Sequence, residues 1–188
     1  MSSVVPEHRG PWRFEELVDL PDDDRRYEVV DGALVVTPPP GQLHQAIGAE
    51  LFRQLVVVAP AGWRVAYEWP LPLGTDGRVP DLAVVRSDAP VSGSGPYPVG
   101  PEHVGLVVEI VSPSSSKTDR FAKPGEYAEA GIPLFWRIET EPVVVLHAFR
   151  LEAGGYAEAA VIADAGVVEV PWGRATVDVA ALQAASGS

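Results

Sequence analysis

One glutamate stands alone inside the apolar run Val107-Val108-Glu109-Ile110-Val111. A carboxylate buried there must stay neutral, pair with a cation or accept hydrogen bonds, because an unpaired buried charge is very costly. A structural ion pair with an arginine meets that demand; a perturbed acid at a functional site also meets it. Asp81 repeats the pattern at the head of a second apolar run, Arg78-Val79-Pro80-Asp81-Leu82-Ala83-Val84-Val85, where the proline marks a strand start, edge or bulge. Two such carboxylates on adjacent strands can converge on one hard divalent cation. Magnesium takes oxygen ligands and keeps several waters, so one or two carboxylates plus a substrate phosphate suffice. The chain has only two lysines, Lys117 and Lys123, and both follow Glu109 within one segment.

The elements that must position these groups are legible in outline. Trp12 to Leu20 has a short helical pattern. Tyr27 to Val30 and Ala33 to Val36 are β-prone runs joined by Asp31-Gly32, a pair suited to a two-residue type I′ turn. After Pro38-Pro39-Pro40, the spacing of Leu43, Ile47, Leu51, Leu55 and Val58 predicts an amphipathic helix from Gln42 to Ala59, stopped by Pro60. Trp63 to Leu73 and Val79 to Arg86 read as strands paired in a hairpin across the Gly74 to Gly77 turn. Ser87 to His103 is a long Gly, Pro and Ser-rich connection, mobile or functional. Gly105 to Ser112 reads as a strand covered on both faces, and Ser114 to Gly131 as mostly helical. Leu134 to Glu139, Val143 to Leu151 and Tyr156 to Ala163 are strands. Val167 to Leu182 closes the chain with one more strand and a short helix. The order predicts an α/β (α+β) fold: a central mixed sheet flanked by helices, with extra β-hairpins.

Composition bounds what such a chain can be. With 188 residues, one domain spanning 1–188 is expected. The absence of Cys excludes disulfide scaffolds and cysteine-ligated metal centres. No apolar run reaches the roughly 18 residues of a membrane span, and the N-terminus lacks signal-peptide features, so a cytoplasmic protein with no membrane partner is expected. The net charge of −12 argues against a broad basic surface for nucleic acid. The acid excess lies mainly at the ends, however: residues 1–31 carry 9 acidic and 4 basic groups, while residues 109–137 balance at 4 and 4.

Five stretches carry a resemblance. They are YEVVDG (Tyr27 to Gly32), the proline-rich turn followed by His44-Gln45, RVPDLAVV (Arg78 to Val85), VVEIVSPSS (Val107 to Ser115) and DRFAKPGEYAEAGIPLFW (Asp119 to Trp136). Their order and spacing resemble the Uma-two family of restriction-endonuclease-like proteins, in the PD-(D/E)XK nuclease superfamily, over about residues 12–182. The resemblance implies a nuclease-like core and a phosphodiesterase centre using Mg²⁺ or Mn²⁺. Asp81 matches the family aspartate and Glu109 the second acid, both as metal ligands and catalytic residues. The superfamily's usual lysine would stand at Val111; in the Uma-two pattern it moves to the next helix, at Lys123 here. Its long stem lets an ammonium there reach the attacking water and the phosphate. Pro124 places Lys123 at a kink or helix cap, and Lys117 is the rival lysine. Glu28 matches a family acid and is a candidate third metal carboxylate, while His44 matches a position that can orient a water or phosphate. Tyr127 and Trp136 read as core aromatics.

The function expected from these residues is metal-dependent endonucleolytic hydrolysis of DNA, with Asp81, Glu109 and Lys123 catalytic and with Lys117 and Arg120 as accessory phosphate contacts. RNA is not separable from DNA on the sequence. Cutting both strands of a duplex with one site per chain favours a homodimer. A non-catalytic nucleic-acid- or protein-binding module retaining the nuclease fold is the alternative, since fold alone does not establish activity.

Overall fold

Asp31-Gly32 sets the first hairpin. In the computed structural model of the chain, β1 (Arg26–Val30) and β2 (Ala33–Thr37) pair antiparallel with Val30 opposite Ala33. Both turn residues have positive φ, 50° at Asp31 and 71° at Gly32, as a two-residue type I′ turn requires. The structure describes residues 7–21, 23, 25–89, 100–113 and 115–187. Most of the long connection between Ser87 and His103 falls outside these residues, as do Asp22, Asp24 and Ser114.

The expected helix at Trp12 to Leu20 is a 3-10 helix, Phe14–Asp19, whose Phe14 and Leu17 bury against Leu20 and Val29. Gly77 is needed opposite it, because a Cβ there would run into the Phe14 ring. Helix α1 (Gln42–Val58) forms as its periodicity predicts, burying Ile47, Gly48, Leu51 and Leu55. The apolar stripe is shorter than the spacing suggests, since Leu43 and Val58 at its two ends are exposed.

The strand expected at Trp63 to Leu73 is broken in two, the one expected at Val79 to Arg86 starts only at Leu82, and a short strand, Asp76–Arg78, begins within the expected turn. The chain runs β3 (Trp63–Tyr67), β4 (Leu71–Leu73), β5 (Asp76–Arg78) and β6 (Leu82–Arg86). β4 and β5 form the hairpin and join a four-stranded sheet of order β2-β1-β5-β4. β3 and β6 still pair, Tyr67 opposite Leu82, but in the larger sheet. Pro70 and Pro80 lie at the two breaks, and proline has no N–H to give a ladder. The interruption brings Glu68 beside Asp81, the Glu68 N–H donating to the Asp81 carbonyl at 3.1 Å.

β7 (Val104–Ile110) is buried along its whole length, as a strand covered on both faces must be. It pairs antiparallel with β6, Leu82 opposite Val108, and parallel with β8 (Leu134–Glu139), Glu109 opposite Arg137. β9 (Val145–Glu152) and β10 (Gly155–Ile162) complete a six-stranded mixed sheet of order β10-β9-β8-β7-β6-β3. Its end segment differs from expectation: the region from Val167 holds a further hairpin, β11 (Ala165–Val170) and β12 (Gly173–Asp178), before α3 (Val179–Ala185). Its two-residue connection is Pro171-Trp172, and the tryptophan hides it from a search for turn-type residues.

Strand alternation divides the core. Val84, Leu106, Val108, Ile110 and Trp136 pack with α1, α3 and the last hairpin. Ala83, Val85, Val107 and Phe135 face the other way, against Tyr127 of α2 (Lys123–Glu129). The approach to α2 is unusual. Residues Thr118–Ala122 form a π-helical turn, in which the Lys123 N–H bonds Thr118 O, five residues back. Pro124 has no N–H to continue the ordinary ladder, and the wide turn accommodates the missing bond. Lys123 therefore does not cap the helix; it lies inside a continuous run of helical backbone, at φ −56° and ψ −41°. Among the described residues, no helix is long and apolar enough to cross a membrane.

Candidate functional site

Asp81 sits just before β6, where the register sets it beside Glu109 on the neighbouring strand. Its side chain is buried, and both oxygens are engaged. Oδ2 accepts the Ile110 N–H at 2.7 Å and pairs with His44 Nε2 at 3.0 Å; Oδ1 accepts Arg26 Nη2 at 3.0 Å. Arg26 also donates to Glu68 Oε1 at 2.8 Å. Burial alone would raise the Asp81 pKa, but His44, Arg26 and the Ile110 N–H outweigh it and hold the carboxyl at about 2. Asp81 is thus an anion at any ordinary pH.

Glu109 is 1% exposed and accepts Lys123 Nζ at 2.8 Å and the Tyr127 hydroxyl at 2.5 Å. Its cation is therefore a lysine, not the arginine that an ordinary structural pair suggested. Lys123 also lies 2.9 Å from the Asp119 carboxylate, which is fully buried and has no hydrogen-bond donor. Asp119, Lys123 and Tyr127 follow one another at steps of four, so one helical face carries all three to the strand. Burial would lower the lysine pKa, but Glu109 and Asp119 raise it, so the ammonium stays charged. Burial, reinforced by Asp81 and Asp119, wins over Lys123 at Glu109 and pushes its carboxyl up to about 8.

Glu28, the candidate third carboxylate, has other partners. It accepts the Val79 N–H at 2.9 Å and Arg78 Nη1 at 3.2 Å, and Arg78 forms a two-pronged pair with Glu126 at 2.6 Å on each side. Among the described residues, no three His, Cys, Asp or Glu side chains come together as a metal-holding group. Of the accessory residues, His44 is on Asp81, Arg120 is paired with Glu139 at 2.6 Å and Lys117 is exposed. The residues that sequence reasoning missed are Arg26, Glu68, Arg78, Asp119 and the Tyr127 hydroxyl. Only the repeated step of four from Asp119 through Lys123 to Tyr127 could have signalled any of them.

The acids Glu28, Glu68, Asp81, Glu109, Asp119 and Glu126 outnumber Arg26, Arg78 and Lys123, six to three, within this network. Such a cluster draws cations. Above it opens a cleft of about 1140 Å³, lined among others by Arg26, His44, Tyr67, Glu68 and Asp81. Glu109 and Lys123 lie beneath its floor.

The two acids give opposite pH dependences. Asp81 ionises below its ordinary value of 3.8, so its contribution to stability is present above 3.8 and is lost as pH falls through about 2. Glu109 does the reverse. Between its ordinary 4.5 and about 8, the folded protein holds a proton that the unfolded chain releases, so stability falls as pH rises across that window. Urea unfolding measured from pH 4.5 to 8 is expected to show this decline in the wild type and to lose it in Glu109→Gln. A decline of equal slope in both proteins would show that Glu109 is not its source.

Comparison with known proteins relates the chain to a family and to solved structures. The Uma2 family, described as "Putative restriction endonuclease", matches residues 14–173. The fold is similar to a crystal structure from Anabaena variabilis described as a "putative nuclease belonging to DUF820". The TM-score is 0.73 and the identity 22%, covering 94% of this chain and 99% of that one. None of the curated proteins matches the chain.

Proposed function

The chain belongs to the Uma2 family of "putative restriction endonucleases", and from that premise we propose that it hydrolyses phosphodiester bonds in DNA with a divalent cation held by Asp81 and Glu109. The observation that carries this reading is the pair of neighbouring buried carboxylates, Asp81 lining a cleft and Glu109 buried behind it, inside a cluster with excess negative charge. The donor set fits Mg²⁺ or Mn²⁺. Both acids offer hard oxygens, Asp81 Oδ1 and each Glu109 oxygen have one donor apiece, and a carboxylate oxygen can accept more than one. Two carboxylates with waters and a substrate phosphate satisfy magnesium without a third acid. When bound, such a cation polarises the phosphate and acidifies water.

The remaining work falls to side chains. Asp81 presents a permanent anion whose direction is fixed by the Ile110 N–H and His44. Tyr127 and Lys123 fix the rotamer of Glu109, and Lys123 supplies the positive charge that favours a developing phosphorane. His44, at the cleft wall and on Asp81, is placed to orient a water. A duplex cut on both strands would call for a homodimer.

Burial favours a second reading. Glu109 at 1% and Lys123 at 5% exposed are both beneath the cleft floor, as in a binding module that has kept the nuclease core. One experiment separates the two. Under the first reading, plasmid DNA is nicked in Mg²⁺ or Mn²⁺ and left intact in chelator, and calorimetry shows uptake of the cation. Binding of DNA with neither cation uptake nor cleavage would establish the second. Cleavage of RNA alone would correct the substrate.

A further inference from the structure

Arg26 is the one cation of the network that reaches both the acids and the cleft. Its side chain is 16% exposed and lines the cleft, while Nη2 lies 3.0 Å from Asp81 and 2.8 Å from Glu68. Asp81 Oδ2 already takes two donors, His44 and the Ile110 N–H. Oδ1 is the oxygen left for a cation, and Arg26 is on it. The guanidinium thus occupies the Asp81 oxygen that an incoming cation would take.

Glu68 makes the arrangement two-ended. Its backbone has φ 43°, a left-handed conformation that is uncommon outside glycine. It occurs at the break between β3 and β4, and it directs a half-exposed carboxylate at Arg26 from the solvent side. Arg26 is thus held by one buried acid and one acid at the cleft rim. An arginine fork suits phosphate as well as carboxylate.

Building on the nuclease reading, we infer that Arg26 is the phosphate-binding residue of the cleft. It rests on Asp81 when no divalent cation is present and exchanges that contact for a substrate phosphate when one binds. The exchange keeps charge balanced at both places. A divalent cation replaces the guanidinium at Asp81, and the freed guanidinium meets the incoming anion while Glu68 keeps it near the cleft.

The test compares wild type with Arg26→Met by calorimetry with Mn²⁺, and by fluorescence anisotropy with a phosphorothioate-linked oligonucleotide in Mn²⁺. The variant is expected to bind Mn²⁺ about tenfold more tightly, having lost a competitor for Asp81, and the oligonucleotide about tenfold more weakly, having lost a charge-assisted contact. A purely structural arginine would weaken both. Equal or weaker Mn²⁺ binding by the variant overturns the inference and leaves the nuclease reading standing, as does unchanged oligonucleotide binding. Absence of Mn²⁺ binding in both proteins overturns the two together. Should Arg26→Met fail to fold, Glu68→Gln at the rim serves in its place. Arg26 then rests on Asp81 alone and Mn²⁺ binding weakens several-fold; unchanged Mn²⁺ affinity overturns the inference.

Discussion

On the proposed reading, DNA cleavage in Mg²⁺ is expected to fall by about 10²–10³-fold in Asp81→Asn and in Glu109→Gln, the loss that follows when one preorganised electrostatic group is removed from a reaction centre. The two variants test different things. Asp81 accepts from three donors, and an asparagine has a single acceptor oxygen and turns an amide toward one of them. Asp81→Asn is therefore expected to lose about 1–3 kcal/mol of stability as well, from a buried donor left unpaired. Glu109→Gln is the cleaner variant. With the Glu109 carboxyl pushed up to about 8, glutamine imitates the protonated form that prevails at neutral pH, and Lys123 keeps Asp119 as its counter-charge. The fold is preserved while the anion that would receive the cation is gone. Initial rates on supercoiled plasmid, read together with urea unfolding, separate the two effects. A Glu109→Gln rate within a few-fold of wild type would remove Glu109 from the chemistry.

How far the sequence predicts this site depends on whether a residue is conspicuous against its neighbours. Glu109 is legible because it interrupts a strand that is otherwise wholly apolar, and Asp81 because a proline introduces it at the head of another apolar run. The hairpin at Asp31-Gly32 is legible for a local reason, since only a few residue types favour such a turn. The breaks at Pro70 and Pro80 were in plain view, but their consequence was not. Whether a proline ends a strand or passes it into a second sheet depends on partners distant in sequence. Arg26 shows the same limit. At the start of β1 it resembles any solvated arginine, and its pairing with Asp81, 55 residues away, exists only once the two sheets meet. The π-helical turn before α2 is a third case: Pro124 announces a defect in the ladder without saying whether the helix stops, kinks or widens. Because it widens, Asp119 and Lys123 reach the same buried place. The charge balance changes meaning accordingly. A chain of net charge −12 keeps its few interior cations for particular acids.

Lys123→Met is expected to have the largest effect on the fold itself, about 3–5 kcal/mol at neutral pH, the usual consequence of removing one partner from a buried ion pair. Lys123 is 5% exposed and is the cation shared by two acids that are themselves out of water, Glu109 at 2.8 Å and Asp119 at 2.9 Å. Glu109 would keep the Tyr127 hydroxyl. Asp119 would keep nothing, since no donor bonds to either of its oxygens. Methionine fills a similar volume, so the loss reflects charge more than a cavity. Against a total stability of about 5–15 kcal/mol for an ordinary domain, it approaches the whole margin. The escape open to the variant is protonation: carboxyls raised above their unfolded values regain stability as pH falls, so the gap to wild type should narrow on acidification. Asp119→Asn added to Lys123→Met should recover part of the loss by removing the charge that has no partner. Lys117→Met, on an exposed side chain, should stay within about 0.5 kcal/mol of wild type. Equal destabilisation by the two lysine variants would show that the buried cluster does not depend on Lys123. The readout is thermodynamic, so it holds whether or not the centre cuts DNA, and it sets a condition on any mechanism. The ammonium proposed to favour the phosphorane also pairs with two buried acids, so it could serve chemistry only while remaining in contact with at least one of them.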